Sequence, residues 1–346
     1  MKITRREFVG LATGGALMTA AGIAASSFPS LAFAANKVFK MKMGNPFPIT
    51  HPGGARMVEV CELIRKETQG AVDIAAFPNN QLGGETDMES QLRSGALEFM
   101  TTSGAVLQTV VPTSGINAVP YVFKNYDRVW SAMDGVLGEY VAGAVAEYGI
   151  YMFPKATIDN GFRNITSSTK PIQSVDDLKG FKIRVPVTPL WVDAFKSLGA
   201  SAVALNLPEL YSALQTKVVD GQENPLVQIN AFRFYEVQKY CSMTGHVWDG
   251  NLVIANAKKW KALPKEVQDV ITRNFNEMAV KQRADVFKMN NDLRAEMSQK
   301  GLVFNDVDSE PFRQALIKSG FYTTWKEKYG PKAWAALEQA VGTPLG

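Results

Sequence analysis

Apolar and polar positions along the chain follow two periods, and the switches between them predict its elements. Val38 to Met43 alternates apolar with basic residues, the period of two expected of a strand. Asn45-Pro46-Phe47-Pro48 predicts a turn, and His51-Pro52 opens a helix that runs to Thr68 and stops at Gly70. Ala71 to Phe77 reads as a second strand, broken by Pro78-Asn79-Asn80. Glu85 to Ser94 reads as a helix, with Met88 and Leu92 on one face and Gly95 as its stop. Met100 to Thr102 predicts a short strand feeding the turn Ser103-Gly104, and one amphipathic helix is expected from Asp127 to Tyr148. Strands at Tyr151–Phe153 and Lys182–Pro186 and a helix from Leu190 to Leu198 follow.

The longest pattern runs from Pro264 to Lys300. Val267, Val270, Ile271, Phe275, Met278, Phe287, Leu293 and Met297 keep helical spacing there, and Gly301 supplies a stop. A further helical stretch from Glu310 to Val341 is interrupted at Gly320 and near Gly330-Pro331. Strands alternating with helices predict an α/β fold with helices on sheet faces, and 346 residues suggest about two domains.

Residues 1–34 follow neither period. Lys2, Arg5 and Arg6 precede a small, apolar, glycine-bearing run from Val9 to Ala25, and Ala32-Phe33-Ala34 forms an A-x-A cleavage signal. This reads as an export segment cut before Ala35, and Thr4-Arg5-Arg6-Glu7-Phe8-Val9 resembles the twin-arginine motif. A membrane anchor is disfavoured because the run falls short of the ~20 apolar residues a span needs. Export places the mature chain in an oxidising compartment. Cys61 and Cys241, the only cysteines, are far apart in sequence and read as unbridged small buried hydrophobes.

Charge and composition narrow the function classes. Lys and Arg total 37 against 33 Asp and Glu, and no basic stripe favours nucleic acid. Two cysteines and two histidines leave little for zinc or iron–sulfur sites. No G-x-S-x-G, G-x-G-x-x-G, Walker, C-x-x-C or H-E-x-x-H motif is present, so no cofactor or metal is expected.

Dense polar information lies between Ile158 and Pro225. Arg163 is flanked by Phe162 and Asn164-Ile165, and Arg184 stands at the end of an Ile-Arg-Val-Pro strand. A guanidinium emerging from an apolar strand is either paired structurally with Asp or Glu or used to grip a ligand anion through its planar fork. The residues alone leave both readings open.

Asn160-Gly161-Phe162-Arg163, Asp177-Leu178-Lys179-Gly180 with Lys182-Ile183-Arg184-Val185-Pro186, and Asp220-Gly221-Gln222-Glu223-Asn224-Pro225 occur in this order after an export signal. With His51-Pro52, Gln81-Leu82-Gly83-Gly84-Glu85 and Pro120-Tyr121, they resemble the DctP-type solute-binding proteins of TRAP transporters, the tripartite ATP-independent periplasmic family. The resemblance implies a monomeric, non-enzymatic periplasmic receptor. Its two α/β lobes would close on an organic acid about a hinge, with the long helix spanning both, and hand the ligand to integral membrane permease subunits.

By that resemblance Arg184 clamps the ligand carboxylate, Arg163 is a second cationic contact and Asn224 a polar contact across the cleft. Asn160, Ser103, His51 and Trp248 are further candidates, and Asp220 and Glu223 are expected to orient Arg184. Lobe I is expected at 37–160 plus 250–290 and lobe II at 161–249 plus 291–346. Relatives that bind sialic acid carry a Glu where this chain has Thr101-Thr102-Ser103, which argues against that ligand. Rival readings are an exported enzyme and a binding protein that feeds a sensor kinase.

Overall fold

The computed structural model describes residues 38–345, so the export segment read at 1–34 lies outside the described residues. β1 (Phe39–Gly44) buries Met41 and Met43 and turns Lys40 and Lys42 outward. α1 (Pro52–Glu67) crosses over to β2 (Val72–Phe77), which pairs in parallel with β1, and α2 (Glu85–Ser94) leads to β3 (Phe99–Ser103), parallel to β1 on its other side. The short α3 (Gly104–Leu107) precedes α4 (Tyr126–Met133), α5 (Val136–Ala146) and β4 (Ile150–Met152).

The chain then runs through β5 (Ile158–Ser167), β6 (Lys182–Val185), α6 (Pro189–Ser197), β7 (Ser201–Ala204), α7 (Leu207–Gln215), β8 (Gly221–Pro225) and α8 (Leu226–Ala231). β9 (Tyr240–Asn256), α9 (Ala257–Lys261), α10 (Lys265–Gln299), β10 (Val303–Asp306), α11 (Glu310–Lys318) and α12 (Phe321–Val341) complete it.

The strand order β2-β1-β3-β9-β5-β8-β6-β7, with β4 and β10 also on β9, divides into two α/β lobes joined through the two longest strands. The C-terminal part of β9 lies antiparallel to β3, from Asn251 opposite Ser103 to Ala255 opposite Phe99. Its N-terminal part pairs with β5 and β10 in the other lobe. β5 starts beside β9 with Ile158 opposite Asn251, and its register shifts between Asp159 and Gly161 and again between Arg163 and Ile165. Gly161 sits at φ +105°, a backbone conformation other residues rarely adopt, which is how the strand bends at the crossing.

Three apolar clusters form the core. One packs Met57 and Ile64 of α1 against Val270 and Phe275 of α10. A second packs Leu210 and Ile229 of the other lobe against Leu293 and Met297, so α10 spans both lobes. Phe287, expected on its apolar stripe, is 60% exposed and meets Tyr126 edge-on. The largest cluster joins α4 and α5 to α12 and reaches Trp191 of α6. α12 therefore packs on α4 and α5 as well as on α6.

Several expectations need correction. The single helix from Asp127 to Tyr148 is two, because Asp134 and Gly135 leave helical geometry between them. Gly138 is essential to the join, since a Cβ there would lie 2.0 Å from the Met133 carbonyl oxygen. β5, β7, β8, β9 and β10 were not foreseen. β8 reads Gly-Gln-Glu-Asn-Pro and is buried throughout, so no apolar alternation marks it. Cys61 and Cys241 are buried free thiols in different clusters.

Candidate functional site

A narrow cavity opens where the lobes meet. Its wall takes Ser103 from β3, Asn160 and Arg163 from β5, Arg184 from β6, Asn224 from β8, Asp249 and Asn251 from β9, Gln228 from α8, and Glu85 from the first turn of α2. Phe47, Val106, Pro186 and Leu207 supply apolar surface. Five expected residues are thus brought together: Arg184, Arg163, Asn224, Asn160 and Ser103.

The two arginines differ in how the protein treats them. Arg163 is enclosed: Nε donates to Glu223 Oε2, Nη2 to Glu223 Oε1 at 2.9 Å, to the Glu223 carbonyl at 2.7 Å and to Asn224 Oδ1 at 2.7 Å, and Nη1 to Asp249 Oδ2 at 2.9 Å. Its guanidinium also lies 4.6 Å over the Trp191 ring. Burial alone would lower its pKa, but the carboxylates of Glu223 and Asp249 outweigh that and raise it. His246 Nε2 sits 3.1 Å from Glu223 Oε2, closing the network on the far side.

Arg184 is only half engaged. Nε and Nη2 donate to the Leu205 carbonyl at 2.9 and 2.6 Å, whereas Nη1 is buried without a partner. Burial in this cavity pulls its pKa down to about 10, against the pull of Glu223 and Glu85, so it remains a cation at neutral pH. A buried guanidinium with an open N–H edge and no carboxylate of its own has the chemistry to accept an anion. Glu223, expected to orient Arg184, instead holds Arg163, and Asp220 accepts from the Lys182 amide at the exposed start of β6. The reason is register: β5 sets Asn164 opposite Asn224 and Ile165 opposite Glu223, which keeps Glu223 beside the Arg163 strand.

Amides complete the wall. Asn160 Nδ2 donates to Gln228 Oε1 at 3.1 Å and reaches Asp249 Oδ2 at 3.4 Å, leaving its Oδ1 buried and unpartnered. Asn251 Oδ1 is likewise unpartnered. Ser103 Oγ donates to Asp249 Oδ1 at 2.8 Å. Asn224 spends both ends inside the protein, accepting from Arg163 and donating to Gln222 Oε1.

His51 and Trp248 lie off this wall. His51 Nδ1 accepts from the Gly53 amide at 3.0 Å as the cap of α1, and its ring stacks on Phe47 at 4.1 Å. Trp248 is packed between Phe123 and Trp130, and its Nε1 donates to Asp159 at 2.9 Å. Sequence reasoning passed over Glu85, Asp249, Gln228 and Asn251. Asp249 had a signal, an acid between Trp248 and an apolar strand end, and Glu85 closes the quoted Gln-Leu-Gly-Gly-Glu string. Glu85 Oε1 accepts the Ser103 amide at 2.9 Å, so α2 brings a carboxylate up to the β3 segment.

Comparison with known proteins places this geometry. Residues 44–321 match the family described as DctP, bacterial extracellular solute-binding protein, family 7. The sialic acid-binding periplasmic protein SiaP of Vibrio cholerae is 30% identical over 83% of this chain and 89% of its own. Among solved structures, the sugar acid binding protein DctPAm of Advenella mimigardefordensis, in complex with galactonate, superposes with a TM-score of 0.84 at 28% identity, covering 88% of this chain and 98% of that one. A TRAP periplasmic solute binding protein from Roseobacter denitrificans with bound β-D-glucuronate gives 0.83 at 27%, covering 88% and 100%.

Proposed function

The chain belongs to the DctP family of TRAP periplasmic solute-binding proteins, receptors for small organic acids, and we propose that its ligand is a hydroxylated monocarboxylate of the sugar-acid class. The single observation carrying this reading is the set of unpartnered buried atoms in the cavity wall: one donor edge, Arg184 Nη1, and two acceptors, Asn160 Oδ1 and Asn251 Oδ1. A carboxylate satisfies the first and hydroxyl groups satisfy the other two. A dicarboxylate suits the wall poorly, because Arg163 is already saturated and a second carboxylate would face Glu85 and Asp249. Galactonate and glucuronate, bound by the two similar proteins, have this form.

In this reading Arg184 anchors the carboxylate while Arg163 fixes the wall rather than touching the ligand. The lobes, proposed as 37–160 plus 250–290 and 161–249 plus 291–346, close over the acid, and the closed protein delivers it to the permease. The mature chain would start near Ala35 after twin-arginine export and act as a monomer without cofactor.

A thermal-shift and calorimetry panel of D-galactonate, D-glucuronate, succinate and pyruvate tests the assignment. Saturable binding of a sugar acid, lost in Arg184→Ala, is the expected result. Tight succinate binding with none of the sugar acids would overturn it.

A further inference from the structure

Behind Ser103, outside the contacts just assigned to the ligand, two glutamates share one hydroxyl group. Thr102 Oγ1 lies 3.0 Å from Glu85 Oε1 and 2.8 Å from Glu89 Oε1. Thr102 is fully buried and Glu89 is 1% exposed, so water does not settle the account. A hydroxyl has one proton to donate. It satisfies one carboxylate, and the second close oxygen is then repelled by its lone pairs unless that carboxyl carries a proton and donates in return. Glu85 is the better acceptor. Burial raises its carboxyl as it does that of Glu89, but Glu85 already takes the Ser103 amide at 2.9 Å and has the Arg184 cation favouring its ionised form, two contacts that Glu89 lacks. Glu89 has only Thr109 Oγ1, at 3.4 Å, on its other oxygen.

We propose that Glu89 holds a proton at neutral pH and passes a hydrogen bond through Thr102 to an ionised Glu85 at the cavity wall, so that loss of this proton weakens ligand binding. The second half rests on the organic-acid reading above. The order of donation is Glu89 O–H to Thr102 Oγ1, then Thr102 O–H to Glu85 Oε1. Burial, with the Glu85 charge next, raises the Glu89 carboxyl to about 8.

The groups that face this pair are few. On α2 they are each other and Arg93, which weakly favours ionised Glu89. From β9 Asp249 pushes against ionised Glu85, and Arg184 from β6 and Arg163 from β5 pull for it. β3 and the turn after α3 present only the Thr102, Ser103 and Thr109 donors. When Glu89 loses its proton, a second negative charge joins Glu85 beside a site that takes an anion. Affinity falls, and by reciprocity a bound anion raises the Glu89 pKa and draws in a proton. Glu89 is thus a positioning residue that acts through Glu85.

The test is a ¹³C NMR titration of the glutamate side-chain carboxyls of the full mature chain, with and without saturating D-galactonate. The wild-type protein alone should show one glutamate with a midpoint near 8, absent from Glu89→Gln. D-galactonate should move that midpoint upward, and wild-type affinity should fall about fivefold or more from roughly pH 6 to roughly pH 9 while Glu89→Gln stays flat. Every glutamate titrating in the ordinary carboxylate range would overturn the proposal, as would an unmoved midpoint in a sample where D-galactonate is seen to bind. If D-galactonate fails to bind, the ligand reading suffers, and the wild-type midpoint still decides where the proton sits.

Discussion

Arg163 Nη1 donates to Asp249 Oδ2 across 2.9 Å, and both side chains are 2% exposed. With Glu223 on the other edge of the guanidinium, this contact fastens β8, β5 and β9 together behind the cavity. Removing one partner of a buried ion network strands the others. Arg163→Met leaves two buried carboxylates without their cation and should destabilise the protein by about 3–5 kcal/mol. Chemical denaturation with an unchanged m-value checks this. Stability close to wild type would show that the network contributes little.

Arg184 should behave in the opposite way. It offers the protein only the Leu205 carbonyl contact, so Arg184→Ala should stay folded and cost no more than about 2 kcal/mol. Binding of the organic acid should disappear. Arg184→Lys keeps the charge but not the fork, and should lose roughly tenfold or more in affinity, the worth of one charge-assisted hydrogen bond. Calorimetry on both variants decides the matter. Near-normal affinity in the lysine variant would remove Arg184 from the role of clamp.

The same sequence could be read only to a certain depth. Amphipathic elements such as α1, α2 and α10 were legible because their apolar stripes face a core. β5 and β8 were not, because strands that carry Arg163, Asn164, Gln222, Glu223 and Asn224 inward have no alternation to display. The site residues Arg184, Arg163, Asn160 and Asn224 came from motif strings and Ser103 from the Thr101-Thr102-Ser103 segment, and the cavity gathers them. Which arginine is free did not follow from the sequence. That depends on β5–β8 register, which assigns Glu223 to Arg163 and leaves Arg184 facing the cavity.

His51 gives a prediction about acid. Burial lowers its pKa from the ordinary 6.5 to about 3, and its Nε2 has no partner. The folded state therefore binds fewer protons there than the unfolded state once pH falls below 6.5. Stability present above that pH is lost on acidification at up to ~1.4 kcal/mol per pH unit, continuing towards pH 3. His51→Asn keeps a good cap for α1 without a titrating ring. Its stability should fall less steeply than wild type over this window. Parallel slopes in denaturation at several pH values would refute the assignment.

Closure gives the last prediction. The register shifts in β5 and the positive φ of Gly161 mark where the connecting strands yield. Beside the cavity-lining Glu85 and Leu207, Asn206 Nδ2 donates to Thr86 Oγ1 at 3.2 Å, a contact between lobes available only when they are together. Ligand should reduce the radius of gyration in small-angle scattering, and Arg184→Ala should abolish the change. An unchanged radius with binding confirmed in the same sample would mean a preformed cleft.

Gln282 of α10 meets the same crossing, its Oε1 taking the Asp159 amide and its Nε2 donating to the Asp159 carbonyl, both at 2.7 Å. Position 282 is the midpoint of a helix that runs from 265 to 299. In mechanical terms α10 is a balanced beam pinned at its centre to the bending strand, with arms of about 25 Å at 1.5 Å per residue. A turn of ~10° about the pin would carry each tip some ~4 Å in opposite senses. Any such turn would be larger at the ends of the beam than at the ligand, and spin labels placed there would test whether the cavity's state is legible from outside it.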